Sequence, residues 1–212
     1  MKYFILFLLY FITFNVNASI LSLYNIEYTT YYDTYFKSPV MVVYDSTNID
    51  ENISRANYFY NDKRIPLEFQ PNYNSYKYPG FDRGHLFPSD YTTTFESSKE
   101  SNYYSNTVPQ TIRLNRGVWK SLENYTHTKV KARVFTGPIY KDCKVNIKLI
   151  DQNDNGVPVP EYTFKIILYD NIIESYLIPN NATLELDEDY KKYKVSLEEV
   201  NSKLCNGLTL LK

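Results

Sequence analysis

Two short stretches of this 212-residue chain carry side chains of the kind that do chemistry. The first, FDRGHLFPSD at 81–90, holds one of only two histidines in the sequence. An acid (Asp82), a guanidinium (Arg83) and a flexible joint (Gly84) lead directly into His85. A neutral imidazole can take a proton from water near neutral pH. Arg83 offers a planar fork suited to a phosphate or carboxylate. Asp82 is placed either to hold a ring nitrogen of a nearby histidine or to brace Arg83, and Gly84 to let the chain turn tightly. The second stretch, SNTVPQTIRLNRGVWKSLE at 105–123, puts Asn115 on a predicted helix with Glu123 eight residues further on. On a straight helix that is about 12 Å of rise and about 80° beyond two turns, so both can face one cleft without touching. An Asn carbonyl oxygen is a hard ligand suited to magnesium, which keeps most of its waters and needs few protein ligands. Glu123 can then hold one of those waters. Each stretch alone is a weak signal, because a single loop histidine is more often inert, and on its helix alone Asn115 reads more readily as a break in the apolar face and Glu123 as a solvated acid.

Elements that could position these groups are legible in the apolar pattern. PVMVVYD (39–45) is an apolar run of strand length, and KVKARVFTGPIY (129–140) alternates up to Phe135. KVNIKLI (144–150), EYTFKIILYD (161–170) and IIESYLIP (172–179) read as further strands, with DQNDNG (151–156) as a turn. Residues 111–127 carry apolar side chains at 112, 118, 119, 122 and 125, close to helical spacing, with Thr111 as a cap and Pro109 just outside. Ser196 and Glu199 form a capping box for a last helix that ends near Asn206-Gly207. The stretch from Asp50 to Asp90, with Pro71, Pro79 and Gly80, reads as irregular chain around a site. Long antiparallel strands with a few separate helices make an α+β domain over 19–212.

The N-terminus reads as a signal peptide over residues 1–18. Lys2 precedes an apolar run from Tyr3 to Phe14, and Val16 and Ala18 fit a cleavage site before Ser19. About a dozen apolar residues are too few for a bilayer that needs roughly 20, so the mature chain is expected to be secreted or periplasmic, with no membrane span. In an oxidising compartment Cys143 and Cys205, the only cysteines, are expected to pair. Two cysteines and two histidines are too few for a structural zinc site, and no G-x-S-x-G elbow marks a serine hydrolase. Charge is uneven. Residues 55–133 hold all six arginines, with twelve basic residues against seven acidic; the remainder holds eleven against seventeen. A basic face around His85 is compatible with an anionic polymer even at a net charge of −1.

Taken together, the ordered set resembles the DNA/RNA non-specific endonucleases of the Serratia-nuclease and endonuclease G type. The resemblance rests on DRGH at 82–85, on Asn-x-x-Pro-Gln at 106–110, and on Leu114-Asn115 followed by Trp119 and Glu123. It runs more loosely through SRANYFYND (54–62) and VSLEEVNSKLCNGL (195–208). It implies the ββα-metal (His-Me finger) fold on a twisted antiparallel sheet flanked by helices. It also implies His85 as the general base for in-line attack of water on phosphorus, and Asn115 as the sole direct protein ligand of a catalytic magnesium, for which manganese can substitute. Glu123 would hold the waters of that ion, and Arg55 and Arg83 would bind phosphate. Asn106 and Gln110 would line the substrate site. The implied substrates are DNA and RNA, cut internally to leave 5′-phosphate ends. Phe87 stands where many relatives carry a small residue and is expected to narrow the rim. A catalytically inactive nucleic-acid-binding surface module is the competing reading, and loss of His85 or Asn115 would have been its sign; both are present. Oligomeric state is left open.

Overall fold

Strand-forming runs with one face apolar must bury that face, and here they do so by pairing into a single large sheet covered on both sides. The computed structural model describes residues 20–46, 53–77, 79–143, 148–149, 156–205 and 210. In chain order the strands are β1 (Ile20–Tyr24), β2 (Tyr28–Asp33), β3 (Ser38–Asp45), β4 (Phe81–His85), β5 (Thr107–Thr111), β6 (Arg133–Ile139), β7 (Lys148–Leu149), β8 (Val157–Pro158), β9 (Tyr162–Tyr169), β10 (Ile172–Pro179) and β11 (Lys194–Val195). The α-helices are α1 (Phe95–Ser101), α2 (Lys120–His127) and α3 (Leu197–Lys203). Seven strands form an antiparallel sheet in the order β1-β2-β3-β6-β9-β10-β11, while β4 pairs with β5 and β7 with β8.

β9 and β10 are joined by Asp170-Asn171, both at positive φ (47° and 62°), the two-residue turn whose twist matches paired strands. Alternation along β9 sends Phe164 and Ile166 to one face, against Val200 of α3, and Ile167 to the other, into a core with Trp119 and Leu122. That second face carries β4, β5 and α2, and so the candidate chemistry. Phe87 belongs to its core: fully buried, stacked on Tyr28 at 4.6 Å and edge-on to Tyr44 and Tyr91. It does not narrow the rim, because an aromatic ring gains more from this packing than from exposure.

β3, β9 and β10 match the apolar runs expected to be strands, and Ser196 caps α3 by accepting from the Glu199 amide. Other expectations need correction. Lys129–Ala132 form a turn, with Lys131 at φ 63°, so β6 begins only at Arg133. Within Asp50–Asp90, residues 81–85 are not irregular but a strand. The helix expected over 111–127 starts later and breaks: Leu114–Trp119 is wound as a π-type turn, kinked at Gly117 (φ −104°, ψ −108°), before α2. A Cβ on Gly117 would lie 2.9 Å from the Leu186 carbonyl oxygen, so packed backbone excludes a side chain there. Thr111 ends β5 and still accepts from the Leu114 amide at 3.3 Å. The signal peptide, the turn centred on 151–155, most of the strand expected at 144–150 and the Asn206-Gly207 helix end lie outside the described residues.

Cys143 and Cys205 are joined in a disulfide, with Cα atoms 5.3 Å apart, tying the chain after β6 to the end of α3. Closing a loop of 62 residues of separation stabilises by about 4 kcal/mol in the chain-entropy model. Reduction, or a Cys143→Ser/Cys205→Ser variant, is therefore expected to lower the melting temperature by about 10 °C. Thermal melts with and without reductant check this; coincident melts would show that the bridge contributes nothing.

Candidate active site

β4 presents His85 because its register with β5 is pinned at Asp82↔Gln110, Gly84↔Val108 and His85↔Thr107. Gly84 is not a turn residue. It lies in the strand, where an added Cβ would come within 2.1–2.6 Å of the Gln110 side chain. Gln110 is fully buried, and its amide donates to the Thr163 hydroxyl at 3.3 Å. Asn106 is fully buried as well. Its amide oxygen accepts from the Phe87 amide (2.8 Å) and its nitrogen donates to the carbonyls of Phe87 (2.9 Å) and Ser101 (2.8 Å), clamping the chain just after His85. Both are buried and neither lines the cleft described below; the Asn106 amide is bonded within the chain at both ends, whereas Gln110 Oε1 makes no hydrogen bond.

His85 is half-buried, and its Nε2 lies 2.9 Å from Asn102 Oδ1. The Asn102 amide nitrogen donates to the Ala56 carbonyl at 2.7 Å, so the oxygen is the atom that faces the ring. An oxygen can only accept, so Nε2 carries the proton and Nδ1 is left as the basic nitrogen. Burial pushes the His85 pKa below the usual imidazole value and the Arg83 cation acts in the same direction, while the Asn102 bond and the Asp90 carboxylate oppose them. The imidazole is therefore neutral, and able to accept a proton, at neutral pH. Phe59 packs on this pair, its ring 5.3 Å from that of His85 and 4.4 Å from the Arg83 guanidinium carbon.

Asp82 is bonded to the segment after β5, with the Arg83 cation also acting on it through space. Its carboxylate accepts from Arg116 Nε and Nη2, both at 2.8 Å, and from Asn115 Nδ2 at 3.0 Å. The Arg116 guanidinium, helped by the Asn115 amide, holds Asp82 below the usual carboxylate range. With its nitrogen committed to Asp82, the Asn115 amide directs its oxygen elsewhere, the orientation a cation ligand needs.

Glu123 lies on α2, which is tied to the chain shortly after β4 by Tyr91 Oη donating to the Glu123 carbonyl at 2.7 Å. Its carboxylate is mostly buried, with Oε1 making no hydrogen bond, and Lys165 Nζ is 3.9 Å away. Burial pushes Glu123 up and the Lys165 ammonium opposes that; burial pushes Lys165 down and Glu123 opposes that. His85, Asn115 and Glu123 meet in one cleft of about 350 Å³, whose walls are completed by Pro88, Ser89, Asp90, Arg116 and Lys120. Arg55 is exposed and ion-paired with Asp90 of that wall. A larger, mostly apolar cavity of about 540 Å³ beside Phe81, Tyr162 and Asn180 holds none of these groups. Among the described residues no three of His, Cys, Asp and Glu converge as a metal site. The groups that do meet in the cleft, an oriented amide oxygen and the Glu123 carboxylate, suit a hydrated hard cation.

A family model described as DNA/RNA non-specific endonuclease matches residues 10–212. The chain belongs to this family. Among curated relatives, mitochondrial endonuclease G of Caenorhabditis elegans is 33% identical over 155 residues, covering 66% of this chain and 50% of the relative. Nuclease C1 of Cunninghamella echinulata var. echinulata is 30% identical over 184 residues, 78% of this chain and 71% of the relative. The nuclease of Nostoc sp. is 31% identical over 170 residues, 71% of this chain and 59% of the relative. The chain thus spans about half the length of several relatives it matches. The solved structure of EndoG in complex with EndoGI superposes with a TM-score of 0.74 at 23% identity, covering 86% of this chain and 83% of that one. The non-specific endonuclease fold is therefore shared: β4, β5 and the helical segment after them form the ββα-metal unit beside the large antiparallel sheet.

Asn102, Arg116, Phe59, Asp90 and Lys165 carry no comparable mark in the sequence. Asn102 and Lys165 belong to residue types spread throughout this chain, and only their distant partners distinguish them. Arg116, next to Asn115 and in the basic window, and Asp90 and Phe59, inside stretches singled out above, carry only a local hint.

Proposed function

We propose that this chain is an exported, magnesium-dependent endonuclease that hydrolyses DNA and RNA phosphodiesters with little sequence preference. One observation carries the reading. Asp82 and Asn102 each orient a neighbour, so that an amide oxygen (Asn115) and an unprotonated imidazole nitrogen (His85) serve the same cleft. Export is supported by the N-terminal pattern and by the disulfide; several of the relatives are mitochondrial by name, so family alone does not choose the compartment.

Asn115 Oδ1 would hold the divalent ion directly and Glu123 would hold its waters; magnesium is expected, with manganese able to substitute. The ion, when bound, neutralises charge on the scissile phosphate and the leaving oxygen. His85 Nδ1 accepts the proton of the attacking water, and Asn102 keeps the ring in the tautomer that allows it. Arg83, steadied on Phe59, adds a fixed positive charge for the phosphate. Arg55 reaches the cleft wall through Asp90, placed to bind a neighbouring phosphate. Contacts of this kind go to the backbone and not to base edges, so sequence is not read.

The test is cleavage of plasmid DNA and of RNA by the purified mature chain, with magnesium and then with chelator. Both polymers are expected to be cut only with metal, and rates to fall steeply between 50 and 200 mM salt as phosphate contacts are screened, an effect of about 10³-fold or more for six such contacts. Tight binding without cleavage would favour the inactive-module reading. A base-sequence preference untouched by salt would contradict the proposed contacts.

A further inference from the structure

Lys165 is in the middle of β9, on the face shared with Ile167 and beneath Trp119. It is fully buried, and its Nζ makes no hydrogen bond. The ammonium rests 4.3 Å from the centre of the Trp119 ring. Among the described residues its one ion-pair partner is Glu123, whose Oε1 at 3.9 Å is also without a hydrogen bond. A lysine buried in this way is costly, and an apolar side chain of similar volume would fill the slot with less penalty. Its neighbours on β9, Phe164, Ile166 and Ile167, are all apolar and buried, so the core itself gives no reason for an amine here. Lys165 does not line the cleft, and Glu123 does. The remaining charges that act on Glu123, Asp90 and Lys120, lie in the cleft wall and not beneath it.

We propose that Lys165 is a positioning residue for the metal site: its buried ammonium, seated on Trp119, anchors the Glu123 carboxylate where it can hold the waters of a divalent ion. The inference rests on the metal-water role proposed for Glu123. An indole face favours a cation over it, and a desolvated cation favours an anion beside it. Lys165 never meets substrate; it acts through Glu123, as an outer partner that orients a ligand does.

The test uses the mature chain as Lys165→Met, Glu123→Gln and the double variant, read by Mn²⁺ binding at fixed neutral pH and by thermal melting. Lys165→Met is expected to lower Mn²⁺ affinity by about 10–100-fold, the usual effect of losing an outer partner. It is also expected to lose about 10 °C or more of melting temperature, because Glu123 is left as a buried charge without compensation. Adding Glu123→Gln removes that charge and should recover a large part of the loss, a rescue that a merely packing role for Lys165 would not produce. If the single variant does not fold while the double does, the pairing is upheld. If neither folds, the core needs Lys165 irrespective of Glu123 and the proposal falls. Additive losses in the double variant, or Mn²⁺ affinity in Lys165→Met equal to or above wild type, overturn it as well. If the wild type itself binds no Mn²⁺, the metal reading fails, and the melting cycle still decides the pairing.

Discussion

His85→Ala is expected to lower the cleavage rate by roughly 10²–10⁴-fold, the usual share of acid–base catalysis, while Mn²⁺ and DNA binding stay near wild type. The reason is local. His85 contacts the Asn102 amide and the Phe59 ring, whereas the amide proposed to hold the metal is oriented separately by Asp82 and Arg116. Deleting the imidazole removes the base and leaves the Asn115 amide in place. The wild-type rate should also fall on acidification, because only the neutral ring accepts a proton. Burial holds the His85 pKa below the usual imidazole value, so its neutral form persists to lower pH than in a free histidine. The acid limb of the rate profile should therefore lie below about 6.5. A limb that persists unchanged in His85→Ala would assign the titration to a different group, with Glu123 the first candidate.

Asn115→Ala should fail in another way. It removes the directed amide oxygen, so divalent-ion affinity should fall by at least the roughly 10–100-fold that losing an outer partner costs. The rate at limiting magnesium should fall with it and recover in part at high magnesium, since a water can replace one carbonyl oxygen. Asp82 keeps its two bonds from Arg116 in this variant, so the start of β4 stays braced. A magnesium titration of both variants makes the comparison. Rescue of His85→Ala by metal, with no rescue of Asn115→Ala, would reverse the roles given to the two residues.

Features encoded by neighbouring residues are legible in the chain itself. The Tyr169–Ile172 turn with its flanking apolar runs defines β9 and β10, because strand alternation and a two-residue turn depend only on residues close in sequence. The order of DRGH, the Asn-Pro-Gln pattern and the Asn115–Glu123 spacing likewise points to the family, and His85, Asn115 and Glu123 share one cleft. Partners are settled by the tertiary structure. Asp82 is free in sequence to hold its neighbours His85 or Arg83; the chosen partner, Asn115, comes from 33 residues away, and the His85 partner, Asn102, from 17. Gly84 reads as a turn residue in sequence, but Gln110 packs over it in the strand; Asn106 and Gln110 read as lining the site, and the fold buries both, with their amide nitrogens bonded internally. Helical periodicity cannot foresee why position 117 excludes a side chain, since the atoms a Cβ would meet belong to the backbone of Leu186, 69 positions later. Lys165 is the clearest case. In the sequence it is one lysine among many in a strand; in the fold, alternation along β9 and the packing of Trp119 place its charge beneath Glu123. Period and turn chemistry act over a few residues, whereas burial and ion pairing depend on segments that meet only when the sheet and the ββα unit close on each other.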